Sequence, residues 1–330
     1  MPEGLASLRG EGFWQGFRPD ERGTYLDRPN RFTARVLIGG EVVCVHCPNP
    51  GRLTELLFPG DPVLLERAAT ERKLALTLVA VERPGNDGST TIPLVSVRAN
   101  PAVGGLVLPL LFPDARTVKP EFSLGGSRFD WYVEDSRGRH LIEVKACSEV
   151  EYGTALFPDA PSLRATRHLE ELARWGDEGY VPHVVFAVVH GRPSHWSPNV
   201  HTDPAFARTL AALAPKLHLH AVVFETRSDG TTRLVDPELP LVLPGQVADS
   251  GHVVTVSYEG VWSVAVEWYA QGWEKALSRP PVRCRFGLNS TRDRRDELQA
   301  LLRPFGGPED PRTDRNFVDA VMRWRHAPGS

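Results

Sequence analysis

From Arg31 onward, apolar and polar residues alternate in short runs that break at glycine, proline and asparagine. The runs Arg31–Ile38, Glu41–Cys47, Pro62–Ala68, Leu74–Glu82 and Thr91–Val97 carry the period of two expected of half-buried strands, with a Gly39-Gly40 turn between the first pair. Five short strands and one brief helix near Leu53–Leu57 predict a barrel of the OB type over residues 31–100. Residues 1–30 are polar, with Gly, Arg and Pro throughout, and read as a loosely ordered lead-in.

After Asn100 the period changes. Leu163–Glu178 places Leu169, Leu172, Ala173 and Gly176 among charges, an amphipathic helix ended by Gly179. Tyr180–Val189 is a continuous apolar run of the kind buried on both faces, followed by a helix over Ala205–Leu213 and a strand over Leu219–Glu225. Mixed strands and helices in this order predict an α/β core of restriction-endonuclease type over residues 101–245. In residues 246–330, strands at Val253–Tyr258 and Val264–Tyr269, then helices near Arg292–Leu302 and Asn316–Arg325, predict a small α+β appendage. Its Trp262, Trp268, Trp273 and Trp324 suit a compact core, or, with the arginines there, stacking on nucleic acid.

The chemistry concentrates between Glu121 and Lys145. Two short strands around the turn Asp135-Ser136-Arg137-Gly138 put Leu141, Glu143 and Lys145 on one face of the second strand, and Ile142 and Val144 on the other. An in-register hairpin brings Asp130 close to Glu143, and Glu121 can join from the preceding strand. Three carboxylates repel one another, so such a cluster suits a hard cation, Mg²⁺ or Mn²⁺, with Asp130 and Glu143 as its ligands. Lys145 would hold and polarise a water or a phosphate, and the matching reaction is metal-assisted phosphodiester hydrolysis. An exposed hairpin face with ordinary surface charges is the competing reading, and the apolar Ile142 and Val144 weigh against it.

Several motifs in one order carry a resemblance: Arg31-Phe32, His46-Cys47-Pro48-Asn49-Pro50-Gly51-Arg52-Leu53, Lys73-Leu74-Ala75-Leu76-Thr77, Ser127-Arg128-Phe129-Asp130, Glu143-Val144-Lys145, Phe157-Pro158-Asp159-Ala160 and His168-Leu169. Between about Arg31 and Gly245 the chain resembles the sugar fermentation stimulation proteins, described as DNA/RNA nuclease-like. The resemblance implies an OB-type barrel followed by a PD-(D/E)XK domain, DNA as partner, and Asp130, Glu143 and Lys145 on the D…ExK positions with Glu121 as an upstream acid. Phe129 stands where the nuclease signature has proline, and Pro50 and Pro161-Ser162 replace usual threonine positions. Nothing after Gly245 takes part in the resemblance.

Net charge is −3, so contact with a polyanion has to come from a local patch. Arg31, Arg52 and Lys73 of the barrel are the phosphate-contact candidates there, with Asn49 in the turn-rich loop before the expected helix, where Asn49 and Thr54 are possible caps. Arg128 beside the acidic cluster, and Arg164, Arg167 and His168 at the start of the long helix, complete the nucleic-acid set; each is otherwise a solvated surface residue. Binding is expected to depend strongly on salt and little on sequence. DNA is the expected substrate, with RNA and a homodimer left open, and the alternative is a non-catalytic DNA-binding regulator of sugar metabolism.

No apolar run reaches the roughly 18 residues of a membrane span, and the N-terminus lacks a signal-peptide pattern, so a cytoplasmic location is expected. Cys44, Cys47, Cys147 and Cys284 fit no disulfide framework. Cys44 and Cys47 lie three apart on a strand and point to opposite faces, against a zinc or redox module. His183, His190, His195, His201, His218 and His220 follow no ligand spacing.

Overall fold

The structure, a computed structural model, describes residues 12–243 except positions 50, 52, 54, 55, 86, 87, 152, 200 and 201, and beyond them the backbone of three further strands. Short β1 (Phe13–Gln15) precedes the barrel, which is built from β2 (Glu21–Asn30), β3 (Thr33–Ile38), β4 (Glu41–His46), β5 (Pro62–Arg67) and β6 (Leu76–Gly85). Their order is β4-β3-β2-β5-β6, and parallel pairing of His46 with Thr77 joins β4 to β6 and closes the ring. Tyr25, Ala34, Val36, Val45, Val63, Leu65 and Leu78 fill it. Gly39 (φ +58°) and Gly40 (φ +91°) make the β3–β4 turn with the left-handed geometry that a two-residue hairpin needs.

The lead-in expected over residues 1–30 is corrected here. Its last third is β2, the strand that pairs with both β3 and β5. Register shifts between Tyr25 and Asp27 and between Asp27 and Asn30 break the period of two, and Tyr25 is its one fully buried side chain. The fifth barrel strand is therefore β2 and not the Thr91–Val97 run. Instead β7 (Gly88–Pro93) forms a hairpin with β6, and Ser96–Arg98 is a turn of 3₁₀ helix. The helix expected near Leu53 is, among the described residues, a single turn: Leu57 N–H reaches the Leu53 carbonyl at 2.9 Å, and Leu53 itself has φ +58°.

Thr91 of β7 pairs with Thr226, so the barrel runs into the second sheet. That sheet continues through β8 (Thr117–Leu124), β9 (Ser127–Asp135), β10 (Gly138–Cys147), β13 (Val181–Val188) and β15 (His218–Thr226), ordered β15-β13-β10-β9-β8; β10, β13 and β15 are parallel. β11 (Glu149–Glu151), β12 (Thr154–Phe157) and β14 (His195–Pro198) make a small separate sheet, and β16 (Thr231–Asp236) pairs with β15 and β1. Helices α1 (Ala99–Leu106) and α2 (Leu108–Leu111) pack with Ile142, Val144, Val185 and Val222 on one face. Helices α3 (Leu163–Asp177) and α4 (Pro204–Leu213) pack with Leu141, Val184, Phe186 and Val223 on the other. Burial on both faces is why Val184–Val188 is an unbroken apolar run.

Ser162 caps α3 by accepting from Ala165 N–H at 3.1 Å, and Asp203 caps α4 from Phe206 N–H at 2.9 Å. Past residue 249 the described backbone is an antiparallel meander of β17 (Ser250–Tyr258), β18 (Trp262–Ala270) and β19 (Val282–Gly287). The third of these strands was not expected from the pattern, and the helices expected near 292–302 and 316–325, with Trp273 and Trp324, lie outside the described residues. Among the described residues no helix is long and apolar enough to cross a membrane.

Candidate active site

The hairpin β9–β10 ends its regular pairing at Trp131 and Ile142. One step further, the N–H of Val144 donates to Asp130 Oδ2 at 2.7 Å, so a side chain substitutes for the missing strand carbonyl. Asn100, on α1, donates to Asp130 Oδ1 at 2.6 Å. On the α3 side of β10, Lys145 Nζ and His168 Nδ1 converge on Glu143 Oε1 at 2.6 and 2.5 Å. Glu143, Lys145 and His168 are all buried, at 4%, 9% and 8% exposure, so these charges depend on one another for partners. Arg164, one helical turn before His168, places Nε 3.4 Å from His168 Nε2.

Burial, and then the neighbouring charge of Glu143, raise the Asp130 carboxyl above its ordinary range. Burial acts the same way on Glu143, but the Lys145 charge and the His168 hydrogen bond outweigh it and hold that carboxyl low. Ionisation is thus favoured at Glu143 by its partners and disfavoured at its neighbour Asp130. A divalent cation would relieve the like-charge pair, and the donors, two hard carboxylates, suit Mg²⁺ or Mn²⁺, which take few protein ligands and complete their shell with water or phosphate oxygens. The residues present fit the ion.

Glu121 does not belong to this group. The β8–β9 register, Pro120 with Trp131 and Phe122 with Phe129, leaves Glu121 level with Asp130. Its φ of +51° breaks the strand alternation, and its carboxylate, 69% exposed, pairs with Arg128. That pair also takes Arg128 away from the site. The expected three-carboxylate cluster is therefore two carboxylates, and no group of three or more His, Cys, Asp or Glu side chains with metal-binding geometry occurs among the described residues.

Asp130, Glu143 and Lys145 line a cavity of about 580 Å³ between the barrel and the α/β sheet. Asn49 and Arg164 line it too, although Asn49 is buried and acts as a loop tie, donating to the Leu94 carbonyl at 2.8 Å and accepting from Gly51 N–H at 2.8 Å. His168, expected as a phosphate contact, is buried, hydrogen-bonds Glu143 and is not part of the cavity lining. Arg31 and Lys73 are exposed and absent from the lining, Arg167 points to Glu171 at 3.4 Å, and Arg52 lies outside the described residues.

Five participants were missed in the sequence. Asn100 orients Asp130. Arg28, on β2, donates to the carbonyls of Asn49 and Gly51, each at 2.6 Å, and also to that of Arg31. Asp159 packs against Gly51 so closely that a Cβ there would collide with it, and burial raises its carboxyl. Trp14 and Phe17 come to the cavity from the supposed lead-in. Only the Phe157–Ala160 motif pointed to Asp159; the others sit in segments whose local pattern carries no signal. Of the two barrel cysteines, Cys47 is buried in the core and Cys44 is exposed, on opposite sides of the strand.

The histidines of the second sheet also assemble. His140 Nε2 meets Asp135 Oδ1 at 2.8 Å, His140 Nδ1 meets His183 Nε2 at 3.0 Å, and His183 Nδ1 meets His220 Nε2 at 3.0 Å, with His218 stacked on His183. His183 uses its two nitrogens toward different neighbours, so no single ion could take all three rings.

A family model described as the sugar fermentation stimulation protein RE domain matches residues 105–230, and one described as the SfsA N-terminal OB domain matches residues 26–89. The chain is 40% identical over 195 residues to a sugar fermentation stimulation protein homolog of Methanothermobacter thermautotrophicus, covering 57% of this chain and 79% of that one. It is 38% identical over 211 residues to the homolog of Pyrobaculum neutrophilum, covering 63% and 88%. A solved structure, that of Pyrococcus furiosus SfsA in complex with Ca²⁺, superposes with a TM-score of 0.60 at 26% identity, covering 67% of this chain and 95% of that one.

Proposed function

Because the chain belongs to the sugar fermentation stimulation protein family, we propose that its cavity is the site of a divalent-metal-dependent nuclease that cleaves phosphodiester bonds with little sequence preference. The observation that carries this reading is the convergence of Asp130, Glu143 and Lys145 in one cavity, with an ion-paired lysine on the strand beside two coupled carboxylates. Asp130 and Glu143 would hold Mg²⁺ or Mn²⁺, which supplies a more acidic bound water and charge stabilisation at the phosphorus. The Ca²⁺ in the Pyrococcus furiosus relative supports a preference for a hard, oxygen-liganded cation.

The chain's own groups divide the remaining work. His168 and Lys145 hold Glu143 ionised and in one orientation, and Asn100 and the Val144 N–H do the same for Asp130. Lys145 Nζ has donors beyond the one given to Glu143, and with them it positions a water or a phosphate oxygen. Arg164, exposed at the cavity with its Nε 3.4 Å from His168 Nε2, is placed to hold the adjacent phosphate.

The absence of Glu121 from the cluster favours one competing reading, a regulator that binds DNA without cutting it. Purified protein incubated with labelled DNA and RNA in Mg²⁺ or Mn²⁺, beside Glu143→Ala and Lys145→Ala variants that still fold, separates the two. Cleavage lost in both variants supports the nuclease. Binding with no cleavage in any of them selects the regulator.

A further inference from the structure

The cavity lining is of two kinds. One part is charged, from Asp130, Glu143 and Lys145; the other is apolar and partly aromatic, from Trp14, Phe17 and Phe32 together with Val95 and Val97. Phe32 is 50% exposed and Val97 73% exposed, so the apolar lining reaches solvent, and exposed Arg164 lines the same cavity. The aromatic part is drawn from separate elements: Trp14 from β1, Phe17 from the turn after it, and Phe32 from the β2–β3 turn.

Size decides what can enter. A volume of about 580 Å³ falls in the range of small-molecule sites, roughly 300–1,000 Å³, and suits an occupant of about one nucleotide. One extruded or unpaired nucleotide fits such a space, with its phosphate at Asp130 and Glu143, whereas a base kept in the duplex stack does not enter it. The nucleotide's base would lie on the apolar lining, where aromatic stacking is indifferent to sequence, and its phosphate would face Lys145 and Arg164.

We propose that the substrate is single-stranded or locally unpaired nucleic acid, taken into the cavity one nucleotide at a time with the base against Phe32 and Trp14. The proposal deepens the nuclease reading and rests on it for the site, but its test reads binding and not turnover. Anisotropy is measured with the full chain in Ca²⁺ and in EDTA, with probe integrity followed on a gel. The probes are short labelled single strands of DNA and of RNA, a blunt duplex, and the same duplex with an unpaired bulge.

Single strands and the bulged duplex are expected to bind more tightly than the blunt duplex. Phe32→Ala, an exposed position whose replacement leaves the core intact, is expected to weaken single-strand binding by roughly 5- to 150-fold, the effect of one lost stack, with blunt-duplex binding unmoved. The DNA and RNA arms identify which strand is preferred. Blunt duplex bound as tightly as single strands, an unaltered Phe32→Ala variant, or no binding to any probe would each overturn the proposal. Single-strand binding that depends on Phe32 in a protein that never cuts would instead sink the nuclease reading and leave the occupant of the cavity standing.

Discussion

At its carboxyl end β10 carries Glu143 and Lys145, braced by His168 from α3; at its amino end it carries His140, held between Asp135 and His183. Both are buried chains of polar side chains on one strand, and both shift the ionisation of their members. Burial opposes the charge on Asp135, but the hydrogen bonds of Arg137 and His140 outweigh it and keep that carboxyl well below its usual range. Burial, followed by the neighbouring rings of His220, His218 and His140, pushes His183 far down. The difference is access. Glu143 and Lys145 open on the cavity, whereas Asp135, His140, His183 and His220 do not line it, and Phe112 closes over His140 with ring centroids 4.7 Å apart. A perturbed, buried titratable group therefore marks a site of chemistry only where it also meets a space that a substrate can enter. The histidine chain is best understood as a satisfied polar core that ties β10, β13 and β15 together across their parallel pairing.

The strongest way to break that contrast is to cut each chain in turn. Lys145→Ala should lower cleavage by about 10²- to 10³-fold, the loss associated with one preorganised charge donor. Because it strands Glu143 in a buried position, it should also cost about 3–5 kcal/mol in urea unfolding. Asp135→Asn should behave differently: about 1–3 kcal/mol of stability lost as His140 and Arg137 lose their charged acceptor, with cleavage by the folded fraction unchanged. A rate loss in Asp135→Asn that exceeds its unfolded fraction would show that the amino-end chain takes part in catalysis.

The histidine chain should also leave a mark on the pH dependence of stability. His220 is pushed down to about 4, by burial first and then by His218. His183 is lowered further, chiefly by burial. Near pH 6.5 and below, the unfolded chain takes up protons that the folded one refuses, so stability falls as pH drops from about 6.5 toward 4 and is free of this contribution above that window. Denaturant midpoints across that window should decline less steeply in His220→Gln; an unchanged slope would mean that the ring is not held neutral. The smallest effect belongs to Arg167→Ala. Its exposed pair with Glu171 lies off the cavity, so stability should move by no more than about 0.5 kcal/mol and nucleic-acid affinity hardly at all.

The sequence by itself determined the strands of the barrel from β3 to β6, the both-faces-buried strand β13, the amphipathic helix α3, and the placement of Glu143 and Lys145 on one side of β10. All of these follow from periods of two or 3.6 that act over a few neighbours, and in them the residues close in sequence are also the residues that touch. Tertiary structure decided the rest. β2 became a barrel strand although bulges erase its alternation, because the edges of β3 and β5 need a partner between them. Glu121 was lost from the acidic group through one left-handed φ that no residue pattern announces. His140, His183 and His220 met because parallel pairing sets three distant segments side by side, and Trp14 and Phe32 came to line one cavity with the carboxylates through the pairing of β1 with β16 and of β7 with β15. Local pattern specifies which face a side chain takes; hydrogen-bond register between remote strands specifies what it faces.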